Sequence, residues 1–176
     1  MVACELRPAD TFVDLGSGAG KAVLQAASEF HVRHACGVEL AASRHRVAIN
    51  AWEAAAADVR GRTQFIEGDV SDSSGVLQDA SLIWLSNLCF GDELMEALAT
   101  LVADAPAARI VAVLKPFPSG PPRGFVQDTI PVLCQMSWTK PSDGVNPPEP
   151  GHPCVVYRRA EKETEVTRDS SRAVGL

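Results

Sequence analysis

Apolar residues along this chain recur in two periods, and the switching between them sketches a fold. Thr11–Leu15 is a short apolar run that reads as a buried strand and ends in Gly16-Ser17-Gly18-Ala19-Gly20. Behind it Val23, Ala26, Ala27 and Phe30 fall at i, i+3, i+4 and i+7, the stripe of an amphipathic helix. His34–Glu39 predicts a second short strand. Residues 41–59 predict one long helix with Ala48, Trp52, Ala55, Ala56 and Val59 on its apolar face. Thr63–Glu67 predicts a third strand ending at Gly68-Asp69, and residues 71–75 a loop. Leu82–Leu85 predicts a fourth strand running into Ser86-Asn87-Leu88-Cys89-Phe90. Asp92 is placed to cap a helix with Leu94, Leu98, Leu101 and Val102 on its buried stripe. Residues 109–114 predict a fifth strand, closed by Lys115-Pro116-Phe117.

This alternation predicts a doubly wound α/β fold, with a mostly parallel sheet covered on both faces. Beyond Pro116 the texture changes. Prolines crowd residues 116–122 and 141–153, while residues 132–138 and 154–159 look strand-like. Two strands joined by a proline-rich loop predict a terminal antiparallel pair. From residue 161 the chain is charged and unpatterned, so residues 1–160 read as one folded domain and 161–176 as a disordered tail.

Composition narrows the function classes. The chain has 176 residues, enough for one sizeable core, with 46 % hydrophobic and 22 % charged residues. No apolar run approaches the ~18 residues of a membrane span, and the N-terminus lacks the layout of a secretory signal. Cys4, Cys36, Cys89, Cys134 and Cys154 form no C-x-x-C pair, which speaks against a zinc site and for reduced thiols inside a cell. The net charge of −6 disfavours a phosphate-tracking surface for nucleic acid and leaves room for a basic partner.

The glycine-rich turn carries the strongest chemical signal. Glycine lets a strand turn sharply into a helix and lets a ligand approach the backbone, and the helix start adds unpaired N–H groups. A nucleotide P-loop needs one more residue between its glycines and a Ser or Thr where Ala22 stands. The dinucleotide fingerprint needs glycine where Lys21 stands. The G-x-G-x-G spacing, with Asp14 two residues ahead, resembles motif I of S-adenosylmethionine-dependent methyltransferases. Asp14 suits the cationic end of that cofactor. Glu39, at the end of the second strand, can accept both ribose hydroxyls. Asp69, in Gly68-Asp69-Val70, can accept from the adenine amino group. Taken alone, the glycines also fit a plain tight turn, and Glu39 a solvated strand end.

Asn87 follows the fourth strand, next to the point where strand order reverses and ligands lie. It is therefore expected to face the methyl donor, offering a carbonyl and an amide but no acid or base. Such a group suits transfer to an amine, where alignment is the main need. The alternative is that Asn87 caps the turn before the Asp92 helix. The Asn/Asp-Pro-Pro-aromatic signature of nucleobase-amino methyltransferases does not occur here.

Val13-Asp14-Leu15-Gly16-Ser17-Gly18, Gly37-Val38-Glu39, Gly68-Asp69, Asn87 with Phe90-Gly91, Lys115-Pro116-Phe117 and Ser137-Trp138-Thr139 follow one another in that order. The set resembles the catalytic domain of the non-SET histone lysine methyltransferases, the disruptor-of-telomeric-silencing type, over residues 11–157. The resemblance implies a Rossmann-like class I methyltransferase sheet, S-adenosyl-L-methionine as cofactor, a basic protein such as a histone as partner, and a nuclear location. It implies that Asp14, Gly16, Ser17, Gly18, Gly20, Glu39, Gly68, Asp69 and Val70 hold the cofactor. It also implies that Asn87 and Phe90 sit by the methyl group and that Trp138 walls the lysine channel. An apolar channel favours the neutral, nucleophilic amine; alone, Trp138 reads as core.

The chain departs from the family pattern at several positions. Ser86 stands where the family has Asn, Leu88 where it has an aromatic, Leu40 where Lys follows the strand-end Glu, and Val156 where a channel tyrosine falls, with Tyr157 one place on. Motif I begins by residue 14, without the N-terminal region that covers the cofactor in the family, and the basic tail is reduced to Arg158, Arg159, Arg168 and Arg172. A small-molecule or RNA methyltransferase on the same core, or a non-catalytic binding module, remain the alternatives.

Overall fold

The computed structural model describes residues 5–130, 132–136 and 151–160. Five parallel strands, β1 (Thr11–Leu15), β2 (His34–Glu39), β3 (Thr63–Glu67), β4 (Leu82–Leu85) and β5 (Ile110–Val113), lie in the order β3-β2-β1-β4-β5. The sheet continues with β8 (His152–Arg159), antiparallel to β5, and then β6 (Phe125–Gln127), antiparallel to β8. A further strand, β7 (Val132–Cys134), pairs with the start of β8. The parallel body with an antiparallel end is the doubly wound fold expected from the alternation. The strand β6, just past the prolines of residues 116–122, was not expected. Trp138 and the tail 161–176 lie outside the described residues.

Period-two alternation divides the sheet into two dry faces. Val13, Leu15, Ile83, Leu85, Val111 and Val113 face Met95, Leu98 and Val102 of helix α5 (Asp92–Asp104). Phe12, Leu82, Trp84, Ile110 and Ala112 face Val23, Ala26 and Ala27 of helix α1 (Lys21–Glu29). Each fully buried Leu or Val contributes roughly 1.5–3 kcal/mol relative to exposure, so these two layers dominate stability.

The single helix expected over residues 41–59 is two helices. Its first part, α2 (Ala42–Glu53), stops, and a one-turn α3 (Ala57–Arg60) follows after the extended Ala56. An unbroken helix of that length would run about 28 Å, against about 17 Å for a five-residue strand, and would carry the chain past β3. The Arg60 guanidinium closes the break by bonding the carbonyls of Glu53 and Ala55. Alanine propensity yields here to the need to return to the sheet. The stretch expected as loop at 71–75 instead holds a 3-10 turn, Val70–Asp72, and a short helix α4 (Ser74–Leu77). Helix α5 takes Gly91 as its N-cap, and Asp92 and Glu93 occupy the first turn, where the helix dipole favours acids. Among the described residues no helix is long and apolar enough to cross a membrane.

Candidate active site

Strand order reverses at β1, which lies between β2 and β4, so the crevice above their carboxyl ends is the natural ligand site. The Gly16–Gly20 turn forms its floor. The backbone N–H groups of Gly16 and Ser17 both donate to the Val38 carbonyl, at 2.9 and 3.0 Å, tying the turn to the end of β2. Gly16 has φ +86°, and a Cβ there would sit 2.9 Å from the Phe90 ring, so both backbone and packing require glycine. Gly18 faces open space.

Two cavities meet over this turn. One, of about 420 Å³, is lined by Glu39, Leu40, Arg44, Asp69, Val70 and Phe90 among others. The second, of about 250 Å³, is lined by Asp14, Ser17, Lys21, Trp84 and Met136. Gly16, Gly18 and Ser86 border both.

Glu39 is buried and already accepts from three residues. Its Oε2 accepts the Gly18 N–H at 2.8 Å, and its Oε1 accepts the Ala41 N–H at 2.8 Å and the Arg44 guanidinium at 2.9 Å. Burial alone would raise its pKa, but these hydrogen bonds, from Ala41, Gly18 and Arg44, hold the carboxyl below its usual range. Asp14 is the opposite case. It is 3 % exposed, and its Oδ1 has no hydrogen-bond partner. Burial, and then the charge of Glu39, push it up to about 8. The Ser17 hydroxyl beside it is also buried without a partner. Asp69 is exposed, and its Oδ1 accepts both the N–H and the hydroxyl of Ser71, at 2.9 and 2.8 Å. These bonds hold it below its usual range, and the residue lines the first of the two cavities.

Three of the expected site residues do not line the cleft. A Cβ on Gly20 would fall 2.6 Å from the Phe65 ring, so that glycine serves helix–sheet packing rather than a ligand. Gly68 donates its N–H to the Glu39 carbonyl at 3.0 Å and fixes the end of β3 to β2. Asn87 is the main correction. Its side chain is wholly buried: Oδ1 accepts the N–H groups of Leu114 and Lys115, both at 2.9 Å, and Nδ2 donates to the Lys115 carbonyl at 2.6 Å. Nδ2 also lies 3.2 Å from the Met95 sulfur. All its capacity goes into clamping the end of β4 to the end of β5, and none faces a methyl donor.

Ser86, Leu40, Arg44, Trp84 and Met136 line the cleft and were not among the site residues expected from sequence, where Ser86 and Leu40 stood out only as departures from the family pattern. Strand parity could have found Ser86. Leu82, Trp84 and Ser86 follow one face of β4, while Ile83, Leu85 and Asn87 follow the other, against α5.

The orphaned Asp14 and Ser17 oxygens fit a cationic, hydrogen-bonding ligand end, and Glu39 with the open Gly18 fits a diol. Leu40 and Val70 fit a flat apolar ring. This donor set suits S-adenosylmethionine. Among the described residues no three His, Cys, Asp or Glu side chains gather as a metal site.

Comparison with known proteins bears on the fold and on the family. No curated protein matches the chain in sequence. Among solved structures, a Salinibacter ruber RNA methyltransferase in complex with S-adenosyl-L-homocysteine is similar at TM-score 0.56 and 18 % identity, over 90 % of this chain and 84 % of that one. A Geobacter metallireducens precorrin-6y C5,15-methyltransferase is similar at TM-score 0.66 and 10 % identity, over 92 % and 84 %. A Streptococcus pneumoniae protein, Sp1610, described as a putative tRNA (m1A22) methyltransferase, is similar at TM-score 0.60 and 12 % identity, over 94 % and 70 %. At these identities the likeness establishes the fold. The family described as histone methylation protein DOT1 matches residues 1–121, well over half of the chain. The chain therefore belongs to that family and is an S-adenosylmethionine-dependent methyltransferase.

Proposed function

We propose that this protein is a protein-lysine N-methyltransferase acting on a basic protein such as a histone, with the nuclear location that acceptor entails. Family membership over residues 1–121 carries the reading. The cofactor supplies an activated methyl group, so the protein's task is to bind, orient and exclude water. Glu39, pre-set by Gly18, Ala41 and Arg44, accepts the ribose hydroxyls. Asp14 and Ser17 hold the amino-acid end, and Asp69 and Val70 the adenine. Phe90, packed over Gly16, closes the cleft from the β4 side. The family resemblance alone assigns Trp138, which lies outside the described residues, to the wall of the lysine channel. The net charge of −6 speeds encounter with a basic partner.

An RNA acceptor is the second reading, since two of the fold relatives are described as RNA methyltransferases. The acidic chain opposes it. Incubation with methyl-labelled cofactor and, separately, core histones, a lysine-rich peptide, transfer RNA and small amines distinguishes these readings. The label is expected on protein, and in methyl-lysine after acid hydrolysis. Label recovered only in RNA or in a small amine would overturn the lysine reading. Cofactor binding without turnover on any acceptor would favour a binding module.

A further inference from the structure

The two halves of the cleft share Gly16, Gly18 and Ser86, and of these only Ser86 has a side chain. With the ribose on Glu39 and the amino-acid end on Asp14, as proposed above, the atom joining the two halves of the cofactor is its sulfur. That atom carries the methyl group. The junction of the cavities is therefore the point of transfer. We infer that the Ser86 hydroxyl is the side-chain group this chain presents to the transferring methyl.

Three observations support the assignment. Leu15 is in register with Leu85 at the ends of β1 and β4, so Gly16 and Ser86 are the residues that follow directly on these two neighbouring strands, and both border the two cavities. The Ser86 hydroxyl makes no hydrogen bond among the described residues, so its lone pairs are uncommitted. Its neighbour Asn87 is fully spent on the β5 backbone.

A methyl on a positive sulfur has polarised C–H bonds, and an uncommitted oxygen beside it makes a C–H···O contact that the demethylated thioether cannot make. Ser86 neither gains nor loses a proton. The acceptor's lone pair forms the new bond to carbon, the carbon–sulfur pair returns to sulfur, and the acceptor's proton passes to solvent.

The contact predicts a preference that calorimetry reads without turnover. Affinities for S-adenosylmethionine and S-adenosylhomocysteine are measured on the wild type, Ser86→Ala, Ser86→Thr and Glu39→Ala. Ser86→Ala should weaken the methylated ligand about two- to fivefold and leave the thioether unchanged. Ser86→Thr, which keeps an oxygen, should restore the preference. Glu39→Ala should weaken both ligands together. An equal change in both ligands with Ser86→Ala, or no change, overturns the assignment while leaving the cofactor placement standing. Full affinity in Glu39→Ala overturns the ribose placement and the assignment with it.

Discussion

Asp14 and Glu39 stand on neighbouring strands at the same crevice, yet one half of the cleft is finished and the other is not. Around Glu39 every donor is already in place: two backbone N–H groups and a guanidinium hold an ionised carboxylate in one orientation. Around Asp14 and Ser17, buried oxygens have no hydrogen-bond partner. A pre-organised anchor costs little to bind against, whereas an unsatisfied buried group stores a penalty that only the right ligand relieves. On the cofactor placement proposed above, the adenosine side would give affinity and the amino-acid side discrimination.

The largest effect is expected where both halves share support. Asn87→Ala leaves the Leu114 and Lys115 N–H groups and the Lys115 carbonyl without their partner. It should cost about 2–4 kcal/mol by chemical denaturation. A loss under about 1 kcal/mol would show that the clamp is dispensable.

The next effect separates the carboxylates by their response to pH. Asp14 is raised from 3.8 to about 8, so the folded state binds a proton more strongly than the unfolded one. Its contribution is present in acid and is lost as pH climbs from about 4 to about 8. Asp14→Asn should therefore gain melting temperature over the wild type across that window, without ligand. Glu39 is held low, so its contribution is present at neutral pH and is lost as pH falls through its folded pKa. The disadvantage of Glu39→Gln should accordingly shrink in acid. Parallel pH profiles for the two variants would erase the contrast drawn here.

A smaller, sharper effect concerns protons. If Asp14 ionises only when it meets the cationic end of the cofactor, binding at pH 7 should release up to about one proton. Calorimetry in buffers of different ionisation heat should detect it, and Asp14→Asn should abolish it. The smallest effect is Arg44→Ala. Arg44 is 65 % exposed, so its ion pair with Glu39 is screened and worth under about 1 kcal/mol. Cofactor affinity should shift only a few-fold, because Gly18 and Ala41 still hold the carboxylate.

Much of this was legible in the sequence, for local reasons. The buried run of β1, the glycines that must turn it and the stripe of α1 are consecutive, so their pattern needs no knowledge of distant contacts. Glu39 and Asp69 sit at strand ends for the same reason. What failed depended on tertiary geometry. The break after Glu53 follows from the span of the neighbouring strand, not from the helix-favouring alanines around it. Gly20 and Gly68 read as ligand glycines, but Phe65 and the Glu39 carbonyl claim them. Asn87 and Ser86 differ by one position. On a strand that step moves a side chain from the crevice to the layer beneath it, and an asparagine looks more chemical than a serine until its neighbours are known.

The Asn87 clamp has a mechanical meaning as well. Adjacent parallel strands are free to splay where their hydrogen-bond ladder ends, and a cleft at that place would widen and narrow with them. Asn87, two residues past the end of β4, carries the connection on to Leu114 and Lys115, just past the end of β5. The floor beneath Ser86 therefore behaves as a fixed reference plane, and any closing movement that accompanies substrate entry has to come from the segments above it.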